Sequence, residues 1–470
     1  MEPSYHRGRD VTMKAILVTI GSLGDLHPFI AIGRALAARG VEVVLAVPAD
    51  HVETVQAAGL AAAAILPSFA DICTRLGVDE ATAAQRVITQ RSFVLDAVIL
   101  PSLADSTAAL DRLAQGADVI VGSLFALAAG IVAEKRGLPL VAINLQPMAL
   151  FSAWDPPQTP ECALLVHAPG GPLGRAWNRA LLAAVKAAVR ARYGGGVEAV
   201  RRTHGLPPSR RAPLFDPAPA QGRTLCCYSP LLAAVQPDAP ARSEAIGFPV
   251  FDGAGEDGHA ADPALVAFLD RGPPPIAFTL GSFLVRAPGR FYETAAAAAR
   301  ALGQRAVLLT GRAGDACDEG DVLRLGYAPH SDVFGRAAAV VHHGGIGTTG
   351  QAMRAGVPQL VLPFFGDQFD NGARVARLGI GRTIRPAAFC GQAAGPALRA
   401  LLDDTAMAER AAAVAVSVRG ERPTAIAVER IVTAVREAQS ARIALSGALA
   451  SASRAASGAA PASTSARPCA

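Results

Sequence analysis

AVVHHGGIGTTGQAMRAGVP, residues 339–358, runs from an apolar, β-branched stretch through a glycine-dense turn into a segment that closes on Gly-Val-Pro. A buried strand is expected to end at His342-His343. Gly344, Gly345 and Gly347 then allow a tight turn and close backbone approach, before a helix that starts near Thr348. This order sets the unpaired N–H groups and positive dipole end of a helix at a loop mouth, where a phosphate fits. Thr348 and Thr349 would add hydroxyls and His343 a ring N–H. His342 is expected to face the core, because neighbouring strand side chains alternate. The plainer reading of these residues is a strand-to-helix turn with Thr348 as its cap.

The same alternation extends in both directions. KAILVTI (14–20), PFIAIGRALAARG (28–40) and VEVVLAV (41–47) read as strand, helix, strand, and the pattern returns at VIVG (119–122) and LVAIN (140–144). A second series holds IAFTL (276–280), a helix over 289–302, AVLLT (306–310), VLRL (322–325), AVVHH (339–343), QLVLP (359–363) and a helix from Asp367. Two consecutive parallel-sheet domains would meet at a cleft. The expected division is an extension over 1–12, a domain over 13–215, a Pro-, Arg- and Ala-rich linker over 216–245, a domain over 246–420, a helix over 421–440 that returns to the first domain, and a disordered tail over 441–470.

Composition limits the function. With 470 residues, 51% hydrophobic and 18% charged, the chain has material for two cores. The net charge of +5 comes from 44 basic and 39 acidic residues. Lysine occurs only at Lys14, Lys135 and Lys186, and the arginines are scattered without interleaved aromatics, so nucleic acid is not an expected partner. The seven cysteines form no C-x-x-C, and the histidines outside the motifs show no i, i+4 pairing. Neither a disulfide framework nor a metal site is expected. The uncharged stretch 119–133 is shorter than the roughly 20 residues a bilayer demands, and 1–12 lack the apolar core of a leader. A cytoplasmic protein without stable membrane insertion is expected, with peripheral contact to a membrane left open.

Three further segments share the chemistry. Phe278-Thr279-Leu280-Gly281-Ser282 ends another strand with a turn that could meet a second face of a diphosphate. PFFGDQFDN (363–371) offers Asp367 and Gln368, an acceptor beside a donor, suited to sugar hydroxyls; Asp367 could also simply cap its helix. TIGSLGDLHPF (19–29) joins the first strand to a helix, with Gly21 and Gly24 letting the loop face the cleft.

Together these segments, over about residues 13–440, resemble the family 1 glycosyltransferases of the GT-B group, whose two Rossmann-like doubly wound α/β domains face a cleft. The resemblance implies that His343, Gly345, Gly347 and Thr348 hold the donor diphosphate, with Gly281 and Ser282 opposite, and that Asp367 and Gln368 hold the donor sugar. Tyr327-Ala328-Pro329 looks like the element that stacks on the base. VGSLFALAAGIVAEKRGLPL (121–140), GFPVFDG (247–253) and DQFDN (367–371) look like the rhamnolipid rhamnosyltransferases, beside sterol and vancomycin-type members. Where many UDP-sugar members carry a ribose-binding Glu, eight residues after the motif His, this chain has Gln351, which leaves UDP and dTDP donors both open.

The implied reaction moves a hexose, glucose or rhamnose, from a nucleotide diphosphate sugar to a hydroxyl with inversion, using no cofactor and no metal. Asp25 stands where plant members carry their catalytic His, and is the candidate base, with His27 in reserve. The plainer reading of Asp25 is an N-cap or a hydrogen bond within the loop, and that of His27, stronger still, is capping or packing before Pro28 at a helix start. Phe125, Phe151 and Trp154, in the apolar loops of the first domain, point to a lipophilic acceptor such as a hydroxy-fatty acid, sterol or polyketide. A dinucleotide-dependent oxidoreductase is disfavoured because the first loop is Gly21-x-x-Gly24 rather than G-x-G-x-x-G. A catalytically silent nucleotide-sugar-binding protein is the other alternative.

Overall fold

The computed structural model describes residues 13–90, 92–215, 222–252, 262–312, 314 and 316–457. The extension 1–12 and residues 458–470 lie outside them. β1 (Lys14–Val18), β2 (Glu42–Pro48), β3 (Ala61–Leu66), β4 (Val119–Ser123), β5 (Leu140–Asn144), β6 (Arg223–Cys226) and β7 (Ser243–Ala245) form one parallel sheet in the order 3-2-1-4-5-6-7. β8 (Ile276–Thr279), β9 (Ala306–Leu309), β10 (Cys317–Asp318), β11 (Val322–Leu325), β12 (Ala339–His342), β13 (Gln359–Val361) and β14 (Gly381–Thr383) form the second, in the order 10-11-9-8-12-13-14. Among the described residues only the β10–β11 pair is antiparallel.

Strand order reverses between β1 and β4 in the first sheet and between β8 and β12 in the second. At such a switch point the loops at the carboxyl ends of the strands part and leave a crevice. The segments that leave the carboxyl ends of β1, β8 and β12 are those that carry Asp25, Gly281 and His343, so the topology gathers the candidate residues before any side chain is considered. Both sheets are covered on their two faces, which is why their strands are apolar runs rather than alternating ones.

The segment expected as a linker supplies two strands instead. RTLC and SEA are too short to show a period, and they extend the edge of the first sheet by pairing with β5 and then with each other. The crossing between domains falls later, where Phe248, Pro249, Val250, Phe251 and Asp252 run along the cleft.

The end of the chain also departs from expectation, since 441–457 continue the helix Pro423–Ser457. Its Ala-rich composition has little to bury, but alanine is the strongest helix former, and a helix already anchored extends cooperatively. The anchor is Ala427, Val428, Ile431 and Val435, buried in one cluster with Leu26, Phe29 and Ile30 of the helix Leu23–Ala37. Side chains 441–448 are exposed, Arg442 reaching Gly137 O. A chain stopped at Ser440 should therefore unfold within about 0.5 kcal/mol of the full chain in urea. Ile431→Ala should cost about 2–5 kcal/mol in the same titration.

Candidate active site

The two switch points enclose a cavity of about 420 Å³ between the sheets. Asp25, His27, Gly281, Ser282, Tyr327, Ala328, His343, Gly345, Gly347, Thr348, Gln351, Asp367 and Gln368 all line it. A Cβ on Gly347 would stand 3.7 Å from Gly24 Cα, so the first turns of the helices Leu23–Ala37 and Ile346–Ala355 meet across it.

On the carboxy-terminal side, the glycine-corner helix is Ile346–Ala355 with Gly345 as its cap, two residues earlier than the sequence indicates. Thr349 N–H is the first to bond within the helix, to Gly345 O at 2.9 Å, which leaves the N–H groups of Ile346, Gly347 and Thr348 free of intrahelical partners. Thr348 lies in the first turn rather than at the cap and faces the cavity. The Thr349 hydroxyl donates back to Gly345 O and is committed.

His342 accepts Gly344 N–H at Nδ1 (3.1 Å) and its Nε2 meets Gln359 Oε1 (3.0 Å), so it is a core residue with both nitrogens occupied. His343 is the opposite case. Its ring lies in a slot between two glycines, 2.5 Å from a Cβ built on Gly281 and 2.3 Å from one on Gly345. Its Nδ1 is buried without a partner, and burial lowers its pKa to about 3, so it enters the cavity as a neutral imidazole with a polar atom to spare.

Asp367 does not cap its helix, Gln368–Arg377. One oxygen, Oδ2, accepts Asn371 Nδ2 at 2.8 Å, while the same Nδ2 group donates to Gly344 O at 2.9 Å. Gln368 Oε1 accepts the N–H groups of Phe364 (2.8 Å) and Phe365 (3.2 Å), which fixes the amide with its donor end to spare. Burial first, and the Asp25 carboxyl across the cleft second, raise Asp367 to about 7.

On the amino-terminal side, Asp25 occupies the first turn of Leu23–Ala37. Its Oδ2 accepts Ser22 N–H at 3.0 Å, and Gln146 Nε2 lies 3.4 Å from Oδ1. Burial raises its pKa, against the hydrogen bonds from Ser22 and Gln146. His27 packs edge-on against Phe251 at 5.5 Å, and burial lowers it to about 4. Sequence reading missed Gln146, which no spacing links to Asp25, and His51, whose Nε2 meets Gly21 O at 2.7 Å.

It also missed Asp252. This carboxylate lines the cavity and accepts Gln351 Nε2, and Tyr327 OH donates to its backbone oxygen at 3.1 Å. Lysine and arginine are absent from the described lining, so any anion there must be met by helix N-termini, hydroxyls and imidazole.

The acceptor aromatics are where the sequence reading fails. Phe125, Phe151 and Trp154 do not line the cavity. Phe151 packs on Phe215 at 4.1 Å, and Trp154 lies under the Arg175 guanidinium at 4.2 Å. The aromatic wall is built instead by Phe248, Phe251, Phe283 and Phe365, with Phe69 against Phe283 at 6.0 Å. Among the described residues no group of three or more His, Cys, Asp or Glu is placed to hold a metal. No described helix is long and apolar enough to cross a membrane.

Comparison with known proteins agrees with this geometry. Residues 312–434 match the family model described as erythromycin biosynthesis protein CIII-like, C-terminal domain. The chain is 32% identical over 421 residues to O-mycaminosyltylonolide 6-deoxyallosyltransferase of Streptomyces fradiae, covering 87% of this chain and 94% of that protein. It is 32% identical over 378 residues to vancomycin aglycone glucosyltransferase of Amycolatopsis orientalis, covering 78% and 85%. Among solved structures, glycosyltransferase SnogD from Streptomyces nogalater superimposes with a TM-score of 0.63 at 22% identity, over 90% of this chain and all of that one. Spinosyn rhamnosyltransferase SpnG, complexed with thymidine diphosphate, gives 0.61 at 20% identity, over 89% and 99%. The chain belongs to the family 1 glycosyltransferases and has the GT-B fold.

Proposed function

We propose that the chain transfers a hexose from a dTDP- or UDP-sugar to a hydroxyl of a lipophilic acceptor, with inversion at the anomeric carbon. The observation that carries this reading is that Asp25, from one domain, and His343 and Asp367, from the other, line a single cavity. The donor diphosphate would lie on the free N–H groups of the Ile346–Ala355 turn, with His343 and Thr348 beside it and Gly281-Ser282 opposite. Helix-terminal N–H groups suit this task because they offset the charge that grows on the leaving diphosphate without a counter-ion. Asp367 and Gln368 would take the sugar hydroxyls, and Tyr327, whose ring is largely exposed beside Ala328, would stack on the base.

Asp25 then serves as base, taking the acceptor proton as the hydroxyl attacks. Burial raises the pKa of Asp25 and lowers that of His27 to about 4, and both directions support Asp25 over His27. The tylonolide and vancomycin-aglycone relatives favour a polyketide or glycopeptide acceptor over a hydroxy-fatty acid or sterol, and the aromatic wall suits any of these. The thymidine diphosphate in the spinosyn enzyme favours a dTDP donor. Product anomeric configuration is the test. An α-linked donor should give a β-linked product, and retention would exclude single displacement.

A pH effect follows from Asp367. Below about 7 its carboxyl gains a proton and loses an acceptor site for sugar hydroxyls. Affinity for a nucleotide sugar should therefore weaken from pH 8 to pH 6, relative to that for the bare nucleoside diphosphate. Asp367→Asn should abolish that difference in parallel calorimetric titrations.

A further inference from the structure

The segment between β5 and the long helix Pro172–Thr203 spans the two domains. Its start is fastened to the first domain: Ser152 Oγ and Ala153 N donate to Asp238 at 2.5 and 2.7 Å, and Asn178 Nδ2 donates to Ala153 O at 3.1 Å. A few residues on, it is fastened to the second. Arg374 Nη1 donates to Asp155 Oδ2 at 2.5 Å, Arg377 Nη1 to Asp155 Oδ1 at 3.1 Å, and Gln158 N to Asp370 Oδ1 at 2.9 Å. Arg374 is only 1% exposed and also holds Asp370 Oδ2 at 2.7 Å through Nε.

Arg374 belongs to Gln368–Arg377, the helix that presents Asp367 and Gln368 to the cavity. Asp367, Asn371 and Arg374 fall at i, i+4 and i+7, on one face, with Arg374 about 10 Å along the axis from Asp367. A buried fork gripped from outside the helix fixes rotation as well as position, because guanidinium–carboxylate pairs are planar and directional. At the near end of the face, Asn371 ties Asp367 to Gly344 of the glycine corner.

We propose that Asp155, an acid of the amino-terminal domain, is a positioning residue for the donor sugar. Through Arg374 it holds the helix that carries Asp367 and Gln368 in the register at which they meet the sugar. The segment acts as a strap that sets the sugar-binding pair from the acceptor side of the cleft, while the N–H groups proposed for the diphosphate belong to a different helix, Ile346–Ala355, which the strap's bonds to Arg374 and Arg377 do not touch. This rests on the glycosyl-transfer reading above.

The test compares full-length wild type, Asp155→Asn and Asp155→Glu for binding of dTDP, UDP, dTDP-glucose and UDP-glucose, and for turnover. Asp155→Asn should bind the bare diphosphates as wild type does. The extra affinity contributed by the sugar should fall by about tenfold, with a matching rise in donor KM, the scale expected when binding groups are misplaced by a fraction of an ångström. Asp155→Glu should recover part of it. A merely structural strap would lower Tm and leave the sugar-to-diphosphate ratio unchanged, which overturns the proposal. Should Asp155→Asn fail to fold, Arg377→Ala removes only the exposed arm of the fork, and the same ratio decides. A wild type that binds none of the four ligands overturns the glycosyl-transfer reading and this one with it; a wild type that binds them, with an unchanged ratio in the variants, overturns only the strap.

Discussion

Asp25→Ala is expected to lower kcat by roughly 10²- to 10⁴-fold, the contribution of a positioned general base. The carboxylate is well placed for the role, being buried in the first turn of the first-domain helix and close enough across the cleft to disfavour the charge of Asp367. Burial lifts its pKa above that of an exposed aspartate, which makes it a stronger base at the pH where it is still ionised. The variant also removes the acceptor of Ser22 N–H, a loss of about 1 kcal/mol in stability, so Tm should fall modestly while nucleotide binding persists. Asp25→Asn separates the two effects by keeping the shape without the base. Turnover should be lost in both variants. His27→Ala should cost far less, since a ring lowered to about 4 and packed on Phe251 adds shape more than basicity. Wild-type turnover in Asp25→Asn would remove the residue from the chemistry.

What the sequence made legible follows from what each site is made of. The glycine corner is local: strand, glycines and helix start sit within twenty residues, and it is made of backbone, so spacing alone exposes it. The cleft was legible because alternating strand and helix dictate a parallel sheet, and a parallel sheet dictates switch points. The aromatic wall of the cavity was not. Phe248 and Phe251 come from the interdomain crossing, Phe283 from the short helix Gly281–Leu284 and Phe365 from the loop after β13, and only the tertiary fold brings them to one surface. Phe151 and Trp154 lie in an apolar loop of the first domain, yet they pack on Phe215 and Arg175 of that domain instead. β6 and β7 were hidden by brevity, being four and three residues long, and the strap by distance, with Arg374 reaching back to Asp155 over 219 positions.

The same local logic gives the second large effect, a loss of about 10- to 100-fold in affinity for dTDP or UDP in Gly345→Ala, or about 1.4–2.7 kcal/mol. Gly345 has φ −60° and ψ 142°, which alanine adopts freely, so the substitution carries no backbone strain of its own. Its added methyl would stand 2.3 Å from His343 Nε2 and must push the ring out of its slot. The ring already fills the space that a side chain on Gly281 would need, a Cβ there standing 2.5 Å from its Cε1, so it is closely packed on that residue too. Overpacking of this kind costs about 1–3 kcal/mol of stability, and the displaced ring would carry the unpartnered Nδ1 away from the diphosphate. A double-mutant cycle isolates the cause. In a His343→Ala background the slot is empty, so the further change Gly345→Ala should cost little in binding or stability, and the two substitutions should couple by about 1 kcal/mol or more. Additive losses would place the function of Gly345 elsewhere, in the approach of its backbone to the ligand rather than in the room it leaves for His343.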